Sequence, residues 1–453
     1  MGNITLGQAA AWCGGRVEEK YADVVFLGAN NDSRKILPGQ LFIALEGVRD
    51  GHDFIPMAME KGAAAALCRH TVGEHPAIVV DDPRIALGKI AAAHRQQLGM
   101  KVVGVTGSVG KSTTKEMIAA VLEGDYIVSK TPANHNNDIG MPMAVLAMPE
   151  DTQVAVLEMG MNHFGEIAYL TGIGKPDAAV IVNIGTMHIE HLGSREGILR
   201  AKLEILEGLK EGGKAFFNGD DDMLWSVKGT LSRRVAYFGR ENPDVDLRAR
   251  VLPSEPGSIC FQVAAEDDVF TVELPLEGQH YIPDALAAVS MGLHFGVAPQ
   301  RIRQRLQAFQ NMAGRQEILY ERGCTIIKDC YNAGPESMAA ALQVLKNRSG
   351  RRIAVLGDML ELGDRSPAEH EKVGALAASC ADVLLSYGPS RQIMMDGAVA
   401  AGMDPENIGV FATHEDMAAS LRQNCREGDV LLFKGSHGMH MELVLEQFLK
   451  EER

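Results

Sequence analysis

The segment GVTGSVGKST, Gly104–Thr113, decides how this chain is read. It follows a Val-rich run from Lys101 to Thr106 and precedes a helical stretch. In that setting a glycine-rich loop turns its backbone N–H groups toward phosphate oxygens. Lys111 supplies a positive charge, and the Ser112 hydroxyl suits magnesium. The strict spacing is missed by one residue: counting back from Gly110, the first glycine falls on Val105, and Gly104 and Gly107 stand instead. A strand-to-helix turn of this composition can also bind nothing.

Working outward, the apolar runs Val154–Glu158, Ala178–Asn183 and Lys214–Asn218 alternate with helical stretches. Continuous Val/Ile/Ala runs suit a parallel sheet covered on both faces. Between 248 and 276 the alternating segments SICFQV and VFTVELPL predict an antiparallel flap. From Cys324 a second series begins, with strands expected at Thr325–Lys328, Arg352–Leu356, Val383–Tyr387, Ile408–Phe411 and Val430–Lys434. Residues 1–98 mix the short runs Val24–Leu27, Leu41–Leu45 and Ala77–Val80 with Gly and Pro, and end on a helix from Pro83 to Leu98. The expectation is an α/β chain of three domains, 1–98, 99–314 and 315–453, in keeping with 453 residues at about 150 per domain.

Lys plus Arg number 44 against 59 Asp plus Glu, a net charge of −15 that argues against a nucleic-acid partner. The seven cysteines are odd in number and contain no Cys-x-x-Cys pair, so neither a disulfide framework nor a thiolate zinc site is expected. No run approaches the roughly 20 apolar residues of a membrane span, and the N-terminus lacks a basic region followed by an apolar one. A cytoplasmic location is expected.

Candidate chemistry gathers at strand ends, where doubly wound sheets place ligand groups. Glu158 closes VAVLE, either as a magnesium carboxylate or as a solvated acid. AAVIVN leads into IGTMHIEHLGS and then a helix with AKLEI. His188 and Lys202 there could share one site, or be a structural histidine and a solvated lysine. TPANHNNDIGMP, 131–142, packs Asn134, His135, Asn136 and Asn137 into one loop, for ligand reading or for backbone turns. Asp32, Ser33 and Arg34 precede a turn, and Arg34 offers a forked donor to phosphate. GRQE (Gly314–Glu317), KDCYNAGPESM (Lys328–Met338), GDMLELG (Gly357–Gly363) and KGSHGMHME (Lys434–Glu442) are each weak alone.

Together and in this order, over nearly the whole length, these segments resemble the Mur ligases, ATP-dependent amide-forming enzymes that build the peptide stem of peptidoglycan precursors. The likeness is strongest to the branch that adds a D-alanyl-D-alanine dipeptide, because KDCYNAGPESM differs from the D-Y-A-H-x-P-type segment of the sister that adds a diamino acid. It implies a small N-terminal UDP-sugar domain, a central ATPase-like parallel sheet and a C-terminal Rossmann-like domain. The substrates implied are UDP-N-acetylmuramoyl-tripeptide and D-alanyl-D-alanine, in a cytoplasmic bacterial monomer without membrane insertion. Thr106, Gly107, Ser108, Val109, Gly110, Lys111, Ser112 and Thr113 resemble the family's ATP loop. Glu158 resembles its metal-binding glutamate, His188 its second-site histidine, and Lys202 its carbamate-bearing lysine. Two magnesium ions would then use Ser112, Glu158, His188 and Lys202. Arg315 and Asp329 match nucleotide-contacting positions, and Asp32, Ser33 and Arg34 the UDP-sugar motif. Asn134, Asn136, Asn137 and Asn332 match the peptide side. The family's G-x-H-N-x-x-N-A-L-A-A appears as GQHYIPDALAA, with Tyr281 and Asp284 for the two asparagines, which leaves the adenine-side contact expected at Asp284 open. Leu203 stands where Gly is common, and His437 where KGSR is usual. The alternatives are another polyamide ligase of this type or a P-loop nucleotide-binding protein without ligase activity.

Overall fold

The computed structural model describes residues 4–255, 257–265 and 268–450. Residues 256, 266 and 267, within the alternating stretch 248–276, lie outside the described residues, as do 1–3 and 451–453. Besides a two-stranded pairing of Ile4–Thr5 with Val25–Phe26, three sheets organise the chain. The first is parallel and four-stranded: Ala29–Asn30, Leu41–Ile43, Ala65–Cys68, Ala77–Val79. The helix Pro83–Leu98 then runs as expected. Asp82 accepts from the N–H groups of Arg84 and Ile85, proline opens the first turn, and Gly99 stops the helix in the left-handed region at φ 64°. Its buried face packs on the helices Gly140–Leu146 and Glu166–Gly174, so one apolar core joins this first unit to the sheet that follows.

That second sheet has nine strands, in the order Val128–Lys130, Val154–Glu158, Lys101–Thr106, Ala178–Ile181, Lys214–Asn218, Arg234–Gly239, Leu247–Leu252, Ile259–Ala265, Asp268–Leu274. The first seven are parallel, and the last two antiparallel. Lys101–Thr106 lies where the order reverses, the chain running from it to strands on one side and then returning past it to Ala178–Ile181 on the other, which is where such sheets bind ligands. The expected antiparallel pair forms, but not as a separate flap: Ile259–Ala265 and Asp268–Leu274 extend the same sheet at its edge. Ile259, Phe261, Val263, Val272 and Leu274 point into the shared core, which fixes their register on it.

The third sheet orders Glu317–Glu321, Cys324–Asp329, Val430–Lys434, Arg352–Gly357, Val383–Tyr387 and Ile408–Phe411, parallel apart from the first hairpin. The fold is therefore α/β with three sheet-centred units. Among the described residues no helix is long and apolar enough to cross a membrane, and all seven cysteines are free.

Candidate active site

Between the second and third sheets lies a cleft of about 520 Å³. Its floor is the loop after Lys101–Thr106. Gly110 takes φ 82°, and a Cβ there would stand 2.5 Å from Asp284 Oδ1, so only glycine fits. Ser108 and Val109 donate their N–H groups to Asn183 Oδ1 at 3.0 and 2.9 Å, and Asn183 Nδ2 returns a bond to the Val109 carbonyl. The neighbouring strand end thus clamps the loop. The helix Lys111–Leu122 starts at once, aiming its free N–H groups at the cleft. Lys111 Nζ donates to the carbonyls of Gly107 and Ser108 at 3.0 and 3.2 Å. Desolvation pulls its pKa below the ordinary lysine value, against the attraction of Glu158.

Glu158 is 1% exposed. Its Oε1 accepts from Asn136 Nδ2 at 2.9 Å, while Oε2, buried and without a hydrogen-bond partner, stands 3.7 Å from Lys115 Nζ. A buried carboxylate oxygen left open is costly unless something occupies it. Lys115, fully buried, anchors on the Thr131 carbonyl at 2.7 Å. Lys202 is also buried, and its Nζ donates to the Gly107 carbonyl at 3.0 Å. Burial and then the nearby Lys111 hold its pKa well below the usual value, favouring the neutral amine.

The third sheet closes the cleft. Arg315 lies 4.0 Å over the Tyr331 ring and donates to Ser112 Oγ at 2.9 Å. Lys434 Nζ donates to Asp329 Oδ2 at 2.7 Å and to the Asn332 carbonyl at 3.0 Å. His188 Nδ1 is 2.8 Å from Glu361 Oε2, and this contact holds the Glu361 carboxyl below its usual pKa. Both residues are left-handed non-glycines, at φ 63° and 62°, a conformation maintained only where surroundings enforce it. The Glu336 carboxyl accepts from the N–H and hydroxyl of Thr186, both at 2.9 Å.

Of the expected residues, Ser108 to Thr113, Asn136, Asn137, Glu158, His188, Asp284, Arg315, Asp329 and Asn332 line this cleft. Thr106, Gly107 and Lys202 lie behind it, and Asn134 is not among its lining residues. Asp32, Ser33 and Arg34 sit apart on the first unit. There the Arg34 fork is spent on Asp32, at 2.9 Å through both Nε and Nη2, and buried Ser33 donates to Met57 Sδ. Asp284 lies under the loop rather than open to a base: it is 4% exposed and accepts from the Thr114 hydroxyl at 2.8 Å. Tyr281 is likewise buried, its hydroxyl receiving Asn311 Nδ2. Sequence reasoning missed Asn183, Lys115, Glu336 and Glu361 as site residues. Asn183 at a strand end, and Glu336 and Glu361 within KDCYNAGPESM and GDMLELG, carried a signal; Lys115 on its helix carried none.

A phosphate-type loop at a sheet's switch point, with a buried open carboxylate beside it and a second α/β unit reaching over it, defines a nucleotide-using enzyme closed by its own C-terminal part. Three family models match in succession: Mur ligase family, catalytic domain, over residues 26–95; Mur ligase middle domain over 105–292; and Mur ligase, glutamate ligase domain, over 314–437. The chain belongs to the Mur ligase family. It is 40% identical over 440 residues to the UDP-N-acetylmuramoyl-tripeptide--D-alanyl-D-alanine ligase of Bacillus subtilis, covering 95% of each. A MurF crystal structure from Acinetobacter baumannii superposes with a TM-score of 0.90 at 32% identity over all of both chains. MurF ligase from Thermotoga maritima in complex with ADP gives 0.83 at 32%, covering 94% of this chain and 97% of that one.

Proposed function

We propose that this ATP-dependent ligase joins D-alanyl-D-alanine to the terminal carboxylate of UDP-N-acetylmuramoyl-tripeptide. The observation that carries the reading is the meeting of the Lys111 loop, the open Glu158 carboxylate and Arg315 from the third sheet in one cleft. A carboxylate is a poor electrophile, so one oxygen must become a leaving group. Transfer of the ATP γ-phosphoryl group gives an acyl phosphate and ADP. The dipeptide amine then forms the amide as phosphate departs. Negative charge gathers on phosphoryl and carbonyl oxygens in both steps. Lys111 and the N–H groups at the start of Lys111–Leu122 are placed to receive it. Arg315 adds a second cation once Ser112 is released from it.

Ser112 Oγ and Glu158 Oε2 offer the hard oxygen donors that magnesium takes beside substrate phosphates, and the unpartnered Glu158 oxygen fits such a use. Magnesium bound there supplies charge neutralisation of the phosphates. His188 and Lys202 are proposed for a second ion. The neutral Lys202 amine can add carbon dioxide and lose a proton, giving a carbamate whose oxygens replace a nitrogen donor. Lys202→Ala is then expected to be inactive, with partial activity restored by short carboxylates. Failure of every short carboxylate would remove the carbamate role.

The nucleotide-sugar end is proposed at Asp32, Ser33 and Arg34, the peptide at Asn134, Asn136, Asn137 and Asn332, and the nucleotide at Thr106–Thr113, Arg315 and Asp329, with Asp284 supporting the loop from beneath. The domain division 1–98, 99–314 and 315–453 and a cytoplasmic monomer complete the proposal. Mass analysis of the product tests it. The expected product is the pentapeptide, formed only with both substrates. ATP binding without any product would leave a nucleotide-binding protein.

A further inference from the structure

Five acidic side chains line the cleft, and two of them, Glu158 and Glu336, keep a buried oxygen without a hydrogen-bond partner. Glu166 accepts the Asn162 N–H at 2.7 Å, Asp284 the Thr114 hydroxyl at 2.8 Å, and Asp329 the Lys434 ammonium at 2.7 Å. Glu158 has Lys115 beside its open oxygen. Glu336 differs. Its Oε1 is clamped by both the N–H and the hydroxyl of Thr186, while Oε2 is buried, without a hydrogen-bond partner and without an ion pair among the described residues. Arg195 feels the Glu336 charge, but its guanidinium is spent on Asp222 and the Ile184 carbonyl.

The clamp also sets where that oxygen stands. Thr186 follows Gly185, whose N–H donates to Ser108 Oγ of the phosphate loop at 2.9 Å. A Cβ on Gly185 would lie 2.9 Å from Glu336 Oε1, so glycine lets the carboxylate close onto the loop. Glu336 lines the cleft beside the phosphate loop with one oxygen unpartnered, which suits a cation that arrives with substrate. The phosphates and the carboxylate to be activated are all anionic. Among the groups that react, only the acceptor's amine carries a positive charge.

We propose that Glu336 receives the ammonium group of the amine acceptor and thereby sets both affinity for it and its aim at the acyl phosphate. This rests on the ligase reading above. Glu336→Gln tests it, because the amide oxygen keeps the Thr186 bonds and only the charge is lost. Hydroxylamine is uncharged at neutral pH and captures an acyl phosphate as a hydroxamate, so it reports the activation step without needing a receptor for ammonium.

The expected result is hydroxamate formation at the wild-type rate in Glu336→Gln, with the KM for D-alanyl-D-alanine raised about tenfold to a hundredfold and the KM for ATP unchanged. A dipeptide KM within twofold of wild type overturns the proposal. So does an equal loss of hydroxamate and dipeptide product in Glu336→Gln and Glu336→Ala, which makes Glu336 only a tie between the two sheets. Wild-type enzyme that forms no hydroxamate with ATP and tripeptide brings down the ligase reading first, and this proposal with it.

Discussion

Asp284 shows how far a single side chain can depart from what its position in a motif suggests. Burial pushes its carboxyl up to about 8 from 3.8, opposed by the Thr114 hydroxyl and by Arg315. The folded chain therefore favours the neutral acid. The stability this contributes is complete below about pH 4 and falls as pH rises through about 8, by up to about 1.4 kcal/mol per unit. Glu and Asp ionisations elsewhere are common to both proteins, so Asp284→Asn isolates the effect. The Tm of the variant relative to wild type is expected to rise from pH 5 and level off above about pH 8, and a difference constant with pH would contradict the assignment. Sequence alone could not place this carboxyl, because helix periodicity says which face it lies on but not that a glycine loop is packed over it. The burial of Lys115 and Lys202 was hidden for the same reason. A lysine on a helix is ordinarily a solvated residue, and only the strand ends brought against Thr131 and Gly107 make these two buried donors.

Elements were easier to read. Pro83–Leu98, Lys101–Thr106 and Val430–Lys434 carry caps or unbroken apolar runs, and their ends were legible to the residue. Val128–Lys130 and Glu317–Glu321 were not, since each has only a brief apolar run and takes its strand character from the neighbour it pairs with at a sheet edge, and Arg234–Gly239 was passed over despite its run Val235–Phe238. Helix packing was equally silent. The helices Ser366–Cys380 and Arg391–Ala400 approach through reciprocal glycines: a Cβ on Gly374 would stand 1.9 Å from the Met394 carbonyl, and one on Gly397 2.2 Å from that of Glu371. In an open helix, replacing glycine by alanine stabilises by about 1 kcal/mol. Here backbone stands in the way, so Gly374→Ala is expected to cost about 1–3 kcal/mol in denaturant unfolding, and a gain in stability would show the helices free to separate.

At the scale of the molecule the three units are not tied alike. The first shares one apolar core with the central sheet, whereas the apolar clusters of residues 324–448 include no residue of the other two units among those described. Polar contacts join the third sheet to the cleft: Arg315 to Ser112, Glu336 to Thr186, Glu361 to His188. Such a junction opens readily. Solution scattering is expected to show a smaller radius of gyration with a non-hydrolysable ATP analogue and tripeptide than without them, and an unchanged profile would fix the units in one arrangement. The order of these units was legible in the motif order. Their unequal coupling was not, because it depends on which faces meet. The central claim is that the tripeptide carboxylate is activated by phosphorylation in this cleft. The most direct measurement labels that carboxylate with heavy oxygen and analyses the phosphate released during dipeptide addition. One labelled oxygen per phosphate is the predicted result; unlabelled phosphate would contradict an acyl phosphate.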